Sequence, residues 1–202
     1  MEKQLFISIV ERYYPWISCL EKAAFQIHDD VNQKYDHVLP YGFHLKMVAS
    51  FVSRYGYLVA ESEADILVLY GSAYLHDTIE DCEGVTERML AELFSERVAG
   101  MVAQESEDKS RTWMERKSAT IEHLRTAPQE VQMIALADKL SNMRDIDRDY
   151  PIAGEKLWER FRMKDKEIIG WYYKGVRDSL REAFAGVEAY EEYCRLVAKN
   201  FE

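Results

Sequence analysis

Residues 75–81 read LHDTIED, placing an imidazole (His76) and three carboxylates (Asp77, Glu80, Asp81) at the end of an apolar run. His76 and Asp77 are the residue types that hold a divalent first-row metal through nitrogen and oxygen. Adjacent residues on a helix diverge by about 100°, so the pair can approach one centre only at a helix end or a kink. Glu80 and Asp81 lie four residues beyond His76 and Asp77, each on its partner's face. They are candidates to orient a water and accept its proton. Two more candidate ligands lie elsewhere: His44, just after the Pro40-Tyr41-Gly42 turn, and Asp138, inside IALADKLSNM. A lone carboxylate in an apolar frame is costly unless it is paired or bound to metal. Asn142 shares the helical face of Asp138, one turn on. Two imidazoles and two carboxylates suit Mn²⁺, Fe²⁺ or Zn²⁺ better than a thiolate-preferring ion. Open coordination positions on such a metal would make a bound water nucleophilic at neutral pH.

The elements that must position these residues are helices. Helical periodicity predicts a short helix over residues 2–13 ended by Pro15, a second from Trp16 to about Val31, a loop over 32–41, and a third helix from His44 to Tyr55. Ala64 to about Ile79 is apolar almost all round. Its length favours a buried helix, and the acids at 61–65 suit a helix N-terminus. Thr86 opens a further helix, 112–126 forms a charged one, and Pro128 stands near the start of a long one with Val131, Ile134, Ala135, Ala137 and Leu140 inward. Two stretches, about 153–184 and 187–201, close the chain. Strand-like alternation, internal repeats and linker-like composition are lacking. Four prolines and nine glycines in 202 residues leave little turn chemistry for a sheet. The expected fold is all-α, a single-domain helical bundle.

The phrases PYGFH (40–44), LHDTIED (75–81), SEDK (106–109), ERK (115–117) and LADKLSNMRD (136–145) carry a resemblance. Their H…HD…D order resembles the HD-domain metal-dependent phosphohydrolases. The wording is most similar to the hydrolase domain of RelA/SpoT proteins and the Mesh1-type small alarmone hydrolases, over about residues 20–180. The resemblance implies an HD-type bundle in which His44, His76, Asp77 and Asp138 hold Mn²⁺, with Fe²⁺ or Zn²⁺ as alternatives. It implies that Glu80 and Asp81 activate water and that Lys34, Tyr41 and Asn142 contact nucleotide. The implied reaction is hydrolysis of the 3′-pyrophosphate of (p)ppGpp. The sequence departs from the family at Gln33, where a basic residue is often found, at Leu45, where a proline usually follows the first histidine, and in a longer stretch over 54–65.

Composition narrows the partners. A formal net charge of -10 argues against non-specific nucleic-acid or anionic-membrane binding. No apolar run approaches the roughly 20 residues of a membrane span. Cys19, Cys82 and Cys194 form no paired motif, which suits a reducing compartment. The N-terminus lacks the long apolar region of a secretory signal. A cytoplasmic enzyme with a small-molecule nucleotide substrate is expected, its oligomeric state open. Two other functions fit the same residues: an HD phosphohydrolase acting on another nucleotide, such as a nucleoside monophosphate, and a non-catalytic nucleotide-binding HD module. Lys46 and Arg144 are expected in structural ion pairs, His28 in packing at a helix end, His37 and His123 on the surface, and Trp158, Phe161, Trp171, Tyr172 and Tyr173 in the core.

Overall fold

The computed structural model describes residues 1–35 and 38–202; His37 lies outside them. The chain is built of helices: α1 (Lys3–Asp30), α2 (Gly42–Tyr55), α3 (Glu63–Leu75), α4 (Thr78–Asp81), α5 (Glu87–Leu93), α6 (Glu96–Glu105), α7 (Trp113–Leu124), α8 (Gln129–Ala153), α9 (Lys166–Phe184) and α10 (Glu188–Phe201). Short 3₁₀ segments occupy Gly56–Leu58 and Gly154–Arg160. Two antiparallel strands, β1 (Lys34–Tyr35) and β2 (Leu39–Pro40), pair Lys34 with Pro40 and Tyr35 with Leu39 inside the expected loop.

The expected break at Pro15 is absent, because α1 runs through it. A proline in a helix interior costs about 3 kcal/mol. Here Phe6, Ile9, Ile17, Leu20 and Ala24 form one buried stripe spanning the proline. At roughly 1.5–3 kcal/mol for each large apolar side chain, that stripe outweighs the missing hydrogen bond.

The chain divides into two compact units, Met1–Glu107 with Gln129–Ala137, and Asp108–Pro128 with Asp138–Glu202. In the first, α3 is the central element, packed against α1, α2 and α6. It is buried from Val68 through Leu75, as its all-round apolar sequence requires. A Cβ on Gly71 would meet Val98 at 2.6 Å, so glycine is what lets α3 and α6 approach. A capping box starts α3: Ser62 Oγ accepts from the Asp65 N–H, and Asp65 Oδ2 accepts from the Ser62 N–H. Asp65 also accepts from Arg97 of α6 at 2.6 Å. Glu21 of α1 joins two neighbours, accepting from Tyr74 of α3 at 2.8 Å and pairing with Lys46 of α2 at 3.0 Å.

In the second unit α9 packs against α7 and α10. Ser179 Oγ donates to the Ile121 carbonyl at 2.8 Å, and the buried Tyr193 hydroxyl donates to the Tyr173 carbonyl at 3.0 Å. Trp158, Tyr172 and Tyr173 are buried, whereas Trp171 is 37% exposed, on the outer face of α9. Arg144 makes a two-pronged bond to Glu192. His123 is exposed.

Candidate metal centre

Three helix ends in the first unit build the site. Helix α3 ends at Leu75 and α4 begins at Thr78, so His76 and Asp77 occupy the junction. Thr78 Oγ1 donates to the Leu75 carbonyl at 2.6 Å, and the Asp81 N–H to the Asp77 carbonyl at 2.8 Å, which fixes the turn. The break lets neighbouring residues face one centre, which a continuous helix forbids. His44 enters from the first turn of α2, where the backbone at Gly42 lies against the Phe25 ring and a Cβ would meet it at 2.8 Å. One ligand atom each from His44, His76 and Asp77 lies within 4.8 Å of the others. His44 and His76 are buried and Asp77 is half-buried.

The hydrogen bonds reveal what the centre requires. His76 Nδ1 lies 3.0 Å from the Ala73 carbonyl, which can only accept, so this nitrogen carries a proton. In the neutral ring Nε2 then presents a lone pair. It lies 3.3 Å from His44 Nε2 and 2.9 Å from Asp77 Oδ2, with His44 Nε2 3.7 Å from the same oxygen. Two imidazole nitrogens and a carboxylate oxygen thus converge, and they repel unless a cation lies among them or His44 carries its proton on Nε2. The Tyr41 hydroxyl donates to Asp77 Oδ2 at 2.5 Å and orients that oxygen. The Tyr35 ring stacks on His44, with centroids 5.3 Å apart and planes 16° apart. Buried, mixed N/O donors held by outer hydrogen bonds are the chemistry of a divalent-metal site.

The other sequence-derived residues are placed as follows. Glu80 and Asp81 lie on α4, Glu80 half-buried and Asp81 exposed. Lys34 is exposed on β1. Asp138 and Asn142 belong to the second unit and share one face of α8. There Asn142 Nδ2 donates to Asp138 Oδ1 at 2.8 Å, and Lys139 Nζ bonds Asp138 Oδ2. Burial pushes the Lys139 ammonium down, but the Asp138 charge beside it reverses this and holds it well above its usual pKa. Tyr35, whose ring stacks on His44, and Lys139, the partner of Asp138 in the second unit, are residues that the sequence reading did not single out. For Lys139 the signal was there, since a buried acid calls for a partner.

Residues 22–160 match the family model described as the HD domain. The chain is an HD-domain protein. HD-domain membership implies a divalent metal, and the His44–His76–Asp77 donor set fits one. Among curated relatives, the guanosine-3′,5′-bis(diphosphate) 3′-pyrophosphohydrolase MESH1 of Drosophila melanogaster is 31% identical over 173 residues, covering 86% of this HD-domain chain and 88% of the relative. Its Xenopus tropicalis counterpart is 34% identical over 155 residues, covering 75% and 83%. A crystal structure from Listeria monocytogenes EGD-e superposes with a TM-score of 0.67 at 28% identity, over 78% of this chain and 98% of the other. A second, of a metazoan ortholog of SpoT described as hydrolysing ppGpp and acting in starvation responses, gives 0.71 at 24% identity over 91% and 94%, a likeness of fold. The all-α HD-type architecture is therefore established. No described helix is long and apolar enough to cross a membrane.

Proposed function

We propose that this chain is a divalent-metal-dependent phosphohydrolase that removes the 3′-pyrophosphate of guanosine tetra- and pentaphosphate. The observation carrying this is the convergence of His44, His76 and Asp77 at a helix break, in a chain that matches pyrophosphohydrolases along most of both lengths. The same coverage supports the whole chain acting as one catalytic domain. In this mechanism His44, His76 and Asp77 hold the metal, with Asp138 completing the set on the strength of the H…HD…D order in the sequence. Mn²⁺ is the preferred ion, with Fe²⁺ and Zn²⁺ the other candidates from the donor chemistry. When bound, the cation supplies Lewis acidity toward a phosphate oxygen and the attacking water. Ala73 and Tyr41 fix the orientation of His76 and Asp77. Glu80 and Asp81 orient the water and take its proton. Water oxygen bonds to the phosphorus carried on the 3′-oxygen, that O–P bond breaks, and the 3′-oxygen leaves with a proton. The products are pyrophosphate and GDP or GTP. Lys34, Tyr41 and Asn142 contact the nucleotide.

Chromatographic analysis of products from guanosine tetraphosphate and a nucleotide panel, with added Mn²⁺, tests this. Release of pyrophosphate from the tetraphosphate supports it. Orthophosphate from nucleoside monophosphates alone would replace the substrate, and no turnover of any nucleotide would leave a binding module.

A further inference from the structure

The end of α1 carries a connection that the reaction scheme above does not use. Asn32 adopts a left-handed backbone (φ 53°), a conformation that asparagine tolerates. Its N–H donates to the Asp29 carbonyl, and the Gln33 N–H donates to the His28 carbonyl at 3.0 Å. This is a Schellman closure, which commonly sets an apolar side chain after the turn against one in the last helical turn. Here both side chains are polar. Gln33 Oε1 lies 2.7 Å from His28 Nδ1, and Gln33 Nε2 donates to Asp81 Oδ2 at 2.8 Å.

The polarity of the chain follows from chemistry. An ionised Asp81 only accepts, so the amide –NH₂ must face it, Oε1 must face His28, and His28 Nδ1 must carry the proton. His28 is fully buried and its ring stacks on Tyr41 at 4.5 Å between centroids. Its Nε2 is buried with no hydrogen-bond partner, so a proton placed there would have no acceptor. Burial pushes the imidazole below its ordinary pKa, outweighing the bond from Gln33 that raises it. A half-buried glutamine is ordinarily free to change rotamer; this one is held at its backbone and at both ends of its amide.

We propose that Gln33 is a positioning residue: clamped by His28, its carboxamide holds the Asp81 carboxylate where it takes the proton of the attacking water, a role that rests on the assignment of Asp81 above. The test uses the full chain with Mn²⁺ and guanosine tetraphosphate. Gln33→Met keeps the shape and removes both hydrogen bonds, and Gln33→Asn keeps the amide but falls one methylene short. Each is expected to lower kcat about tenfold or more, with KM within about twofold and with bound Mn²⁺ and Tm as in the parent. In an Asp81→Asn background the same substitutions are expected to cost nothing further, because Gln33 acts through Asp81. A raised KM at unchanged kcat, or equal losses with and without Asp81, would overturn the proposal and make Gln33 a substrate contact or a packing residue. A parent protein without turnover, or Asp81→Asn with full turnover, overturns the assignment of Asp81 itself and removes the basis for this role. The two failures are therefore distinguishable.

Discussion

One polar cluster in the first unit differs from the buried polar pairs of the second. In the second unit donors meet acceptors: Ser179 and Tyr193 give their protons to backbone carbonyls, Asn200 gives its own to Asp147 at 3.1 Å, and Lys139 faces Asp138. Such pairs offset the cost of burial and serve stability. In the first unit two imidazole nitrogens, of His44 and His76, and a carboxylate oxygen of Asp77 crowd together at 2.9–3.7 Å. Such a donor set is suited to the divalent metal that HD-domain membership implies. Paired burial like that of the second unit serves the scaffold, and converging donors are the arrangement a cation can use.

Removing one member of the His44–His76–Asp77 cluster should have the largest effect. His76→Ala is expected to lose bound metal and to lower turnover by at least about 10³-fold, the equivalent of several kcal/mol of transition-state stabilisation. Unfolding of the metal-free protein should scarcely change; metal analysis and calorimetry report the two separately. If this variant instead retains metal and turnover, the contrast between the units loses its meaning.

Next in size is the response to metal. At Mn²⁺ about a hundredfold above its dissociation constant, binding adds about 2.7 kcal/mol. That raises Tm by about 5–10 °C for a chain of this size. His44→Ala should abolish the rise, as followed by a thermal melt with and without Mn²⁺.

The complementary pairs should behave in reverse. Tyr193→Phe or Ser179→Ala is expected to cost about 1–2 kcal/mol of stability in denaturant titrations, with kcat per folded molecule unchanged.

The smallest effect is electrostatic and lies at the start of α3. Burial pulls the Asp65 carboxyl up, but Arg97, the Ser62 hydroxyl and two backbone N–H groups outweigh it and hold its pKa at about 2. A depressed carboxyl contributes stability above its unfolded pKa and loses it as pH falls through the folded one. The contribution should therefore fade between about pH 4 and pH 2. Asp65→Asn should flatten that part of the stability–pH curve.

Much of this was legible in the sequence. The all-round apolar run of α3 marked a central helix, and the adjacency of His76 and Asp77 demanded a helix end, which the Leu75–Thr78 junction supplies. Thr86 opens a helix as read, its side chain accepting from the Met89 N–H. What escaped depended on contacts distant in sequence. Pro15 reads locally as a stop, and only the buried stripe on both sides of it explains the continuous α1. The Lys34–Pro40 and Tyr35–Leu39 pairing is too short to leave an alternation pattern. Gln33 stood out as a departure from a family pattern, whereas its partners His28 and Asp81 emerge only when the ends of α1 and α4 are brought together. Trp171 was misassigned to the core because three consecutive aromatics on a helix cannot all face inward.

One consequence follows from where His76 stands. It is the residue directly after the final turn of α3, the helix enclosed from Val68 to Leu75. Its ring is tied back to that helix through the Nδ1 bond to the Ala73 carbonyl, so its position follows that of α3. Heat inactivation and melting of that interior should accordingly be a single event, with no intermediate temperature at which the protein remains folded but its catalytic geometry has drifted.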